Sequence, residues 1–157
     1  MAKAKEVPGL HARLPYREAA AATVRVRTDE LFDAQEGVLD TEDIERVHAM
    51  RVATRRLRAV LEIYRPCFDA DHYKPVLRDV KALADALGAR RDPDVQLDAL
   101  SALAAALPRA DLAGIDLLAD EVRQEQAQGN ELLAVALAES ERSDLRGRLL
   151  ALLQEPA

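Results

Sequence analysis

Apolar residues recur at intervals of three and four along most of this chain, and proline, glycine and aspartate mark the places where that rhythm breaks. Such spacing gives each helix one apolar stripe and predicts a bundle that buries it. Pro15 is placed to open a first helix carrying Val24, Arg27, Leu31, Ala34 and Val38. Asp40 is placed to cap a second helix, with Asp43 in its first turn and an end just before Pro66. A third is expected from a cap at Asp71 to a stop at Gly88, and a fourth from Asp92-Pro93 to Leu107. A fifth begins near Asp111 and carries Leu112, Ile115, Leu118, Val122, Leu132, Leu133, Ala136 and Leu137, with Gly129 as a point of bending or interruption. A last helix follows Asp144 and runs from Leu145 to Gln154. No strand-like alternation is evident. The expected fold class is all-α, an antiparallel helical bundle of about five to six helices over residues 15–154. Residues 1–14, with the turn signal Pro8-Gly9, are expected to be a flexible lead-in.

Composition narrows the class further. A chain of 157 residues fits one domain and is long enough to bury a core without disulfides or metal. Aromatic residues are few, tryptophan is absent and there are only six glycines, as suits a helical protein. The single cysteine, Cys67, excludes an internal disulfide and fits a reducing compartment. No apolar run approaches the roughly 20 residues that span a membrane. The N-terminus lacks the apolar segment of a signal peptide. The expected location is cytoplasmic.

Charge is distributed unevenly. The chain as a whole carries −6, but from Arg46 to Arg91 there are 11 Lys and Arg against 5 Asp and Glu, a balance of +6. The remainder is at −12. Within the basic third the chain reads Val47-His48-Ala49-Met50-Arg51-Val52-Ala53-Thr54-Arg55-Arg56-Leu57-Arg58. At about 100° per residue, His48, Arg51, Arg55 and Arg58 share an arc of about 80°, and Met50, Leu57, Leu61 and Tyr64 gather on the opposite side. A row of guanidiniums suits a ligand with many phosphates, because each can form two parallel hydrogen bonds to an oxyanion. Lys74, Arg78 and Lys81 form a second basic stripe on the third helix, and Arg90 and Arg91 follow its expected end. If the second and third helices are antiparallel neighbours, the two stripes line one groove. The alternative is a charged face that is merely solvated, with pairs such as Arg58–Glu62 absorbing the charge. Five arginines, one histidine and no acid between Arg46 and Arg58 count against that alternative.

The same stretch, Val47-His48-x-Met50-Arg51-Val52-x-Thr54-Arg55-Arg56-Leu57-Arg58, resembles the signature of the CHAD domain, the conserved histidine α-helical domain. Leu77-Arg78-x-x-x-x-Leu83-x-x-x-Leu87-Gly88-x-x-Arg91-Asp92-x-Asp94-Val95 is similar to the family's second block, and Leu145-x-x-x-Leu149-Leu150-x-x-Leu153 to the close of its first bundle. The resemblance spans residues 15–154. It implies a helical bundle that binds inorganic polyphosphate through a basic groove. By position, His48, Arg51, Arg55 and Arg58 are then one wall, Lys74, Arg78, Lys81 and Arg91 the other, and Arg56 and Arg90 further contacts. Members of the family have two similar bundles about a pseudo-twofold axis, and this chain resembles one of them. A homodimer is expected as the means of covering the exposed face of a single bundle.

Other chemistries lack their residues. With only His11, His48, His72 and Cys67, and no His-x-x-x-His or Cys-x-x-Cys spacing, no metal site is expected, and no cofactor. His48 among arginines suits a hydrogen-bond donor to phosphate, or a histidine packed at a helix start. Asp92 and Asp94 flank Pro93 and are explained by capping. No phosphate-cradling glycine loop or activated nucleophile is evident, so a binding module rather than an enzyme is expected. RNA or other nucleic acid is the main rival ligand, disfavoured because Tyr64, Tyr73 and Phe68 are too few for a stacking platform. A helical adaptor for an acidic protein is the third possibility. A polyphosphate ligand implies association with polyphosphate granules.

Overall fold

The computed structural model describes residues 3–154. Five α-helices make up the fold: α1, Tyr16–Asp33; α2, Ile44–Ile63; α3, Ala70–Ala104; α4, Leu112–Arg142; and α5, Leu145–Ala151. Short 3₁₀ turns at Arg65–Cys67 and Arg109–Asp111 precede α3 and α4. The all-α bundle and its helix number agree with the periodicity.

Pro15 stands immediately before α1, as the sequence predicts. The helix stops at Asp33, but Val38 is still buried, because the turn through Gly37 folds it back onto the core. Gly37 has a φ of +67°, and Arg46 covers it while donating to the Glu36 carbonyl at 3.0 Å. The second helix starts three residues later than expected. Asp40 accepts from the Glu42 N–H at 3.0 Å, a local bond that competes with helix, and Asp43 takes the capping position. At α3 the cap is Asp69 rather than Asp71. Its carboxylate accepts from the N–H groups of Asp71, at 2.9 Å, and His72, at 3.3 Å, and these bonds hold its pKa below the ordinary carboxylate value.

The largest departure is that α3 is one helix of 35 residues. The break expected between Gly88 and Pro93 does not occur. Pro93 has no N–H to give the Ala89 carbonyl, the usual reason a helix fails at proline. Here that carbonyl faces α4 at Gly129: a Cβ built on Gly129 would lie 2.6 Å from Ala89 O and 3.0 Å from Arg90 Cα. Gly129 therefore does not interrupt α4. It is a place where the backbones of α3 and α4 approach too closely for a side chain. On the same side of α3, Arg90 and Asp94 form a wholly buried ion pair spanning the proline.

The antiparallel α3–α4 hairpin is the main packing unit. Helix α2 lies on α3, α1 lies on α2, and α5 closes the bundle against α1, α3 and α4. The core contains Val24, Leu31, Met50, Leu57, Leu61, Leu87, Leu133 and Leu149, so the predicted apolar stripe of α2 is buried. The lead-in is bonded to α1 at Lys5. Its N–H donates to Glu30, its Nζ lies 2.5 Å from Asp33, and Arg27 donates to its carbonyl at 2.9 Å. The hydrogen bond to Asp33 raises the Lys5 pKa above its ordinary value. Away from the bundle the hairpin continues as a bare arm: no residue from Val95 to Leu118 is buried.

Gly129→Ala is expected to lower the free energy of unfolding by about 1–3 kcal/mol, because the methyl meets backbone rather than a flexible side chain. Gly114 is the control, since a methyl placed there would have nothing within 4 Å. At that position alanine should stabilise by about 0.5–1 kcal/mol. Urea denaturation of the two variants checks both signs, and a stabilised Gly129→Ala would mean that the crossing is not tight.

Candidate anion-binding site

Burial of one face of α2 determines what its other face can do. Val47, Met50, Ala53, Leu57 and Leu61 lie in the core, which turns His48, Arg51, Arg55 and Arg58 outward. Opposite them, burial of Leu83 and Leu87 turns Ala84, Asp85, Gly88, Ala89 and Asp92 of α3 toward the same space. Together with Val52 these residues line a groove of about 470 Å³. The small Ala84, Gly88 and Ala89 leave room along one wall. Arg51 and Arg58 are separated by about 10 Å along the helix axis.

The arginines differ in their bonding. Arg58 is 3.2 Å from Glu62, and Lys81 of α3 lies 3.9 Å from the same carboxylate oxygen. Glu62 thus ties the two walls together at one end. Arg51 and Arg55 are exposed and make no ion pair or hydrogen bond among the described residues. Lys74, Arg78 and Lys81 line a second hollow of about 390 Å³ that shares Asp85 with the first. Arg78 lies 3.2 Å from Asp79, which Arg148 also holds at 2.6 Å.

The structure thus brings His48, Arg51, Arg55 and Arg58 into one groove and sets Lys74, Arg78 and Lys81 beside it. It does not bring Arg56, Arg90 or Arg91 there. Arg56 is half-buried and off the groove lining. Arg90 is completely buried against α4, bonded to Asp94 and, through Nε, to Asn130 at 3.1 Å. The side chain of Arg91 is 14% exposed and lies 3.8 Å from the same Asp94. The reason is the continuity of α3. A loop after Gly88 would leave these arginines free to turn, but a helix puts Arg90 and Asp94 on the face of Leu83 and Leu87. Asp94 is therefore an ion-pair partner rather than a cap, and Asp92 a groove residue. Asp85 is a second acidic groove residue that no local motif marks. The seven-residue spacing of Asp85 and Asp92, on the face of Arg78 and Lys81, becomes visible once the helix is continuous.

No aromatic ring lines the groove. Phe68 and Tyr73 are buried with ring centroids 5.9 Å apart, and Tyr64 packs on Tyr16 at 5.0 Å. Among the described residues no group of three or more His, Cys, Asp or Glu side chains is arranged to hold a metal ion. Among the same residues no helix is long and apolar enough to cross a membrane.

The two classes of arginine should separate cleanly. Arg90→Met leaves Asp94 buried without its charge partner and should cost about 3–5 kcal/mol of stability. Adding Asp94→Leu should restore much of it. Arg51→Ala should change stability by less than about 0.5 kcal/mol. Denaturation midpoints of the three variants measure this, and a stable Arg90→Met would remove the ion pair from the account of α3.

The model of one protein family, described as the CHAD domain, matches residues 22–157, most of the chain. No curated protein and no solved structure matches it.

Proposed function

The chain belongs to the CHAD domain family, and on that premise we propose that it binds inorganic polyphosphate, without cleaving it, in the groove between α2 and α3. The family is associated with polyphosphate binding. The observation that carries the reading to this groove is the state of Arg51 and Arg55, two exposed guanidiniums facing open space with no partner among the described residues. A chain of linked phosphates offers an oxyanion to each guanidinium along the row. Arg58, Lys74, Arg78 and Lys81 extend the positive track, and His48 serves as a hydrogen-bond donor at its far end. The absence of aromatic rings from the lining favours a phosphate backbone over stacked bases, so RNA is the rival to be tested rather than a second proposal. The proposed location follows from the ligand: the cytoplasm, with its polyphosphate stores.

Defined-length polyphosphate should bind with an affinity that falls steeply with salt, as expected when a dense polyanion sheds its counterions. Arg51→Ala and Arg55→Ala should each weaken binding about three- to tenfold, the value of a charge-assisted contact reduced by solvent screening. Arg142→Ala, whose guanidinium pairs with Glu139 elsewhere on α4, should have no effect. Equal losses at all three positions, or tighter binding of RNA at matched phosphate concentration, would remove the groove or the ligand from the proposal. Release of orthophosphate by the purified protein with Mg²⁺ would remove its non-catalytic part.

The homodimer is proposed through the bare arm of α3 and α4. There Leu103, Leu117 and Leu118 are 47%, 70% and 45% exposed, and a twofold axis allows the patch to meet itself. Light scattering over a concentration series should show mass approaching two chains, reverting to one in Leu103→Glu. A mass of one chain at every concentration excludes the dimer.

A further inference from the structure

The second wall of the groove has the wrong sign for a polyanion. Asp85 and Asp92 stand on α3, seven residues and about 10 Å apart along the axis, with Gly88 and Ala89 between them. Both are exposed, and neither makes an ion pair or hydrogen bond among the described residues. Glu62 and Lys81 meet across the two helices, and beyond that contact Asp85 and Asp92 line the same groove as His48, Arg51, Arg55 and Arg58. Cations and carboxylates thus line the same groove without coming into ion-pair distance of one another. A ligand between the two walls meets attraction on one side and repulsion on the other.

We infer that Asp85 and Asp92 set the affinity of the groove by repelling the outer edge of the bound polyanion. The inference rests on the reading of this groove as a polyphosphate site. The phosphate chain is held along α2 by its inner oxygens, and its other edge faces two fixed negative charges. The opposing wall keeps the complex weaker than the arginine row alone would make it, and so readily exchanged. A densely charged chain presents several phosphates to each carboxylate, so the small screened repulsions add.

This gives the two aspartates an effect opposite to that of ordinary contact residues. Asp85→Asn and Asp92→Asn should each tighten polyphosphate binding, about threefold singly and about tenfold together, at low salt. The gain should vanish at high salt, where the repulsion is screened. Asp85→Glu with Asp92→Glu keeps the charge and should retain the affinity of the unmodified protein. If the aspartates instead orient the arginines, or accept hydrogen bonds from the ligand, the asparagine variants will bind more weakly. Weaker or unchanged binding overturns the inference and leaves the polyphosphate assignment standing. If neither the unmodified protein nor the double asparagine variant binds polyphosphate at low salt, the assignment of the groove falls, and this inference with it.

Discussion

Pro93 is the constraint around which the rest of the molecule is arranged. A proline inside a helix removes a hydrogen bond and costs about 3 kcal/mol, enough to end most helices. Here the carbonyl it leaves without a donor, that of Ala89, lies against α4 at Gly129, where no side chain keeps it away. The turn around the proline is also clamped. Arg90 and Asp94 pair across it without solvent, Asn130 accepts from Arg90, and Gln126 donates to Asp94 at 2.7 Å. These bonds fix the conformation of the turn that lacks the proline's hydrogen bond. Proline, glycine and ion pair act as one device, and each is explicable only with the others.

The continuity that results determines which charges reach solvent. Since α3 does not turn after Gly88, Arg90 is committed to the interface with α4 and Asp92 to the groove. Three residues that look interchangeable in a basic run, Arg78, Arg90 and Arg91, end in different places. Arg78 has a side chain that is 75% exposed, Arg90 is buried, and Arg91 is pinned beside a shared carboxylate. Removing Arg51 takes away a charge that has no structural partner, whereas removing Arg90 takes away the charge that makes Asp94 tolerable inside the protein.

The electrostatics of the groove follow from the same geometry. The basic third of the chain does not make a uniformly positive surface. Glu62 and Asp79 occupy part of its cationic charge, and Asp85 and Asp92 face the rest. What remains available is a short row on α2, with Lys74, Arg78 and Lys81 continuing beside it. Under the proposed function, a site of this kind recognises the spacing and number of anionic groups along a line. It is not an electrostatic coat for any polyanion, which agrees with the acidic balance of the remaining chain.

Much of this was legible in the residues themselves. The three- and four-residue rhythm identified the helices, the start of α1, the buried face of α2 and the outward row His48, Arg51, Arg55 and Arg58, because amphipathic periodicity is a local property that packing merely completes. Local signals were ambiguous where capping groups compete: aspartates lie at both Asp40 and Asp43, and at both Asp69 and Asp71, and only the hydrogen bonds formed select between them. The course of the chain from Gly88 to Asp94 was not legible. Glycine followed by Asp-Pro signals a helix end, and the groups that override that signal, Gly129, Gln126 and Asn130, arrive from a helix more than 30 residues further along. Sequence alone thus determined which residues carry charge and which face of each helix is apolar. Tertiary structure decided whether α3 ends at Pro93, and through it which arginines are buried and which aspartates face the groove, because those outcomes depend on a backbone contact that no local pattern encodes.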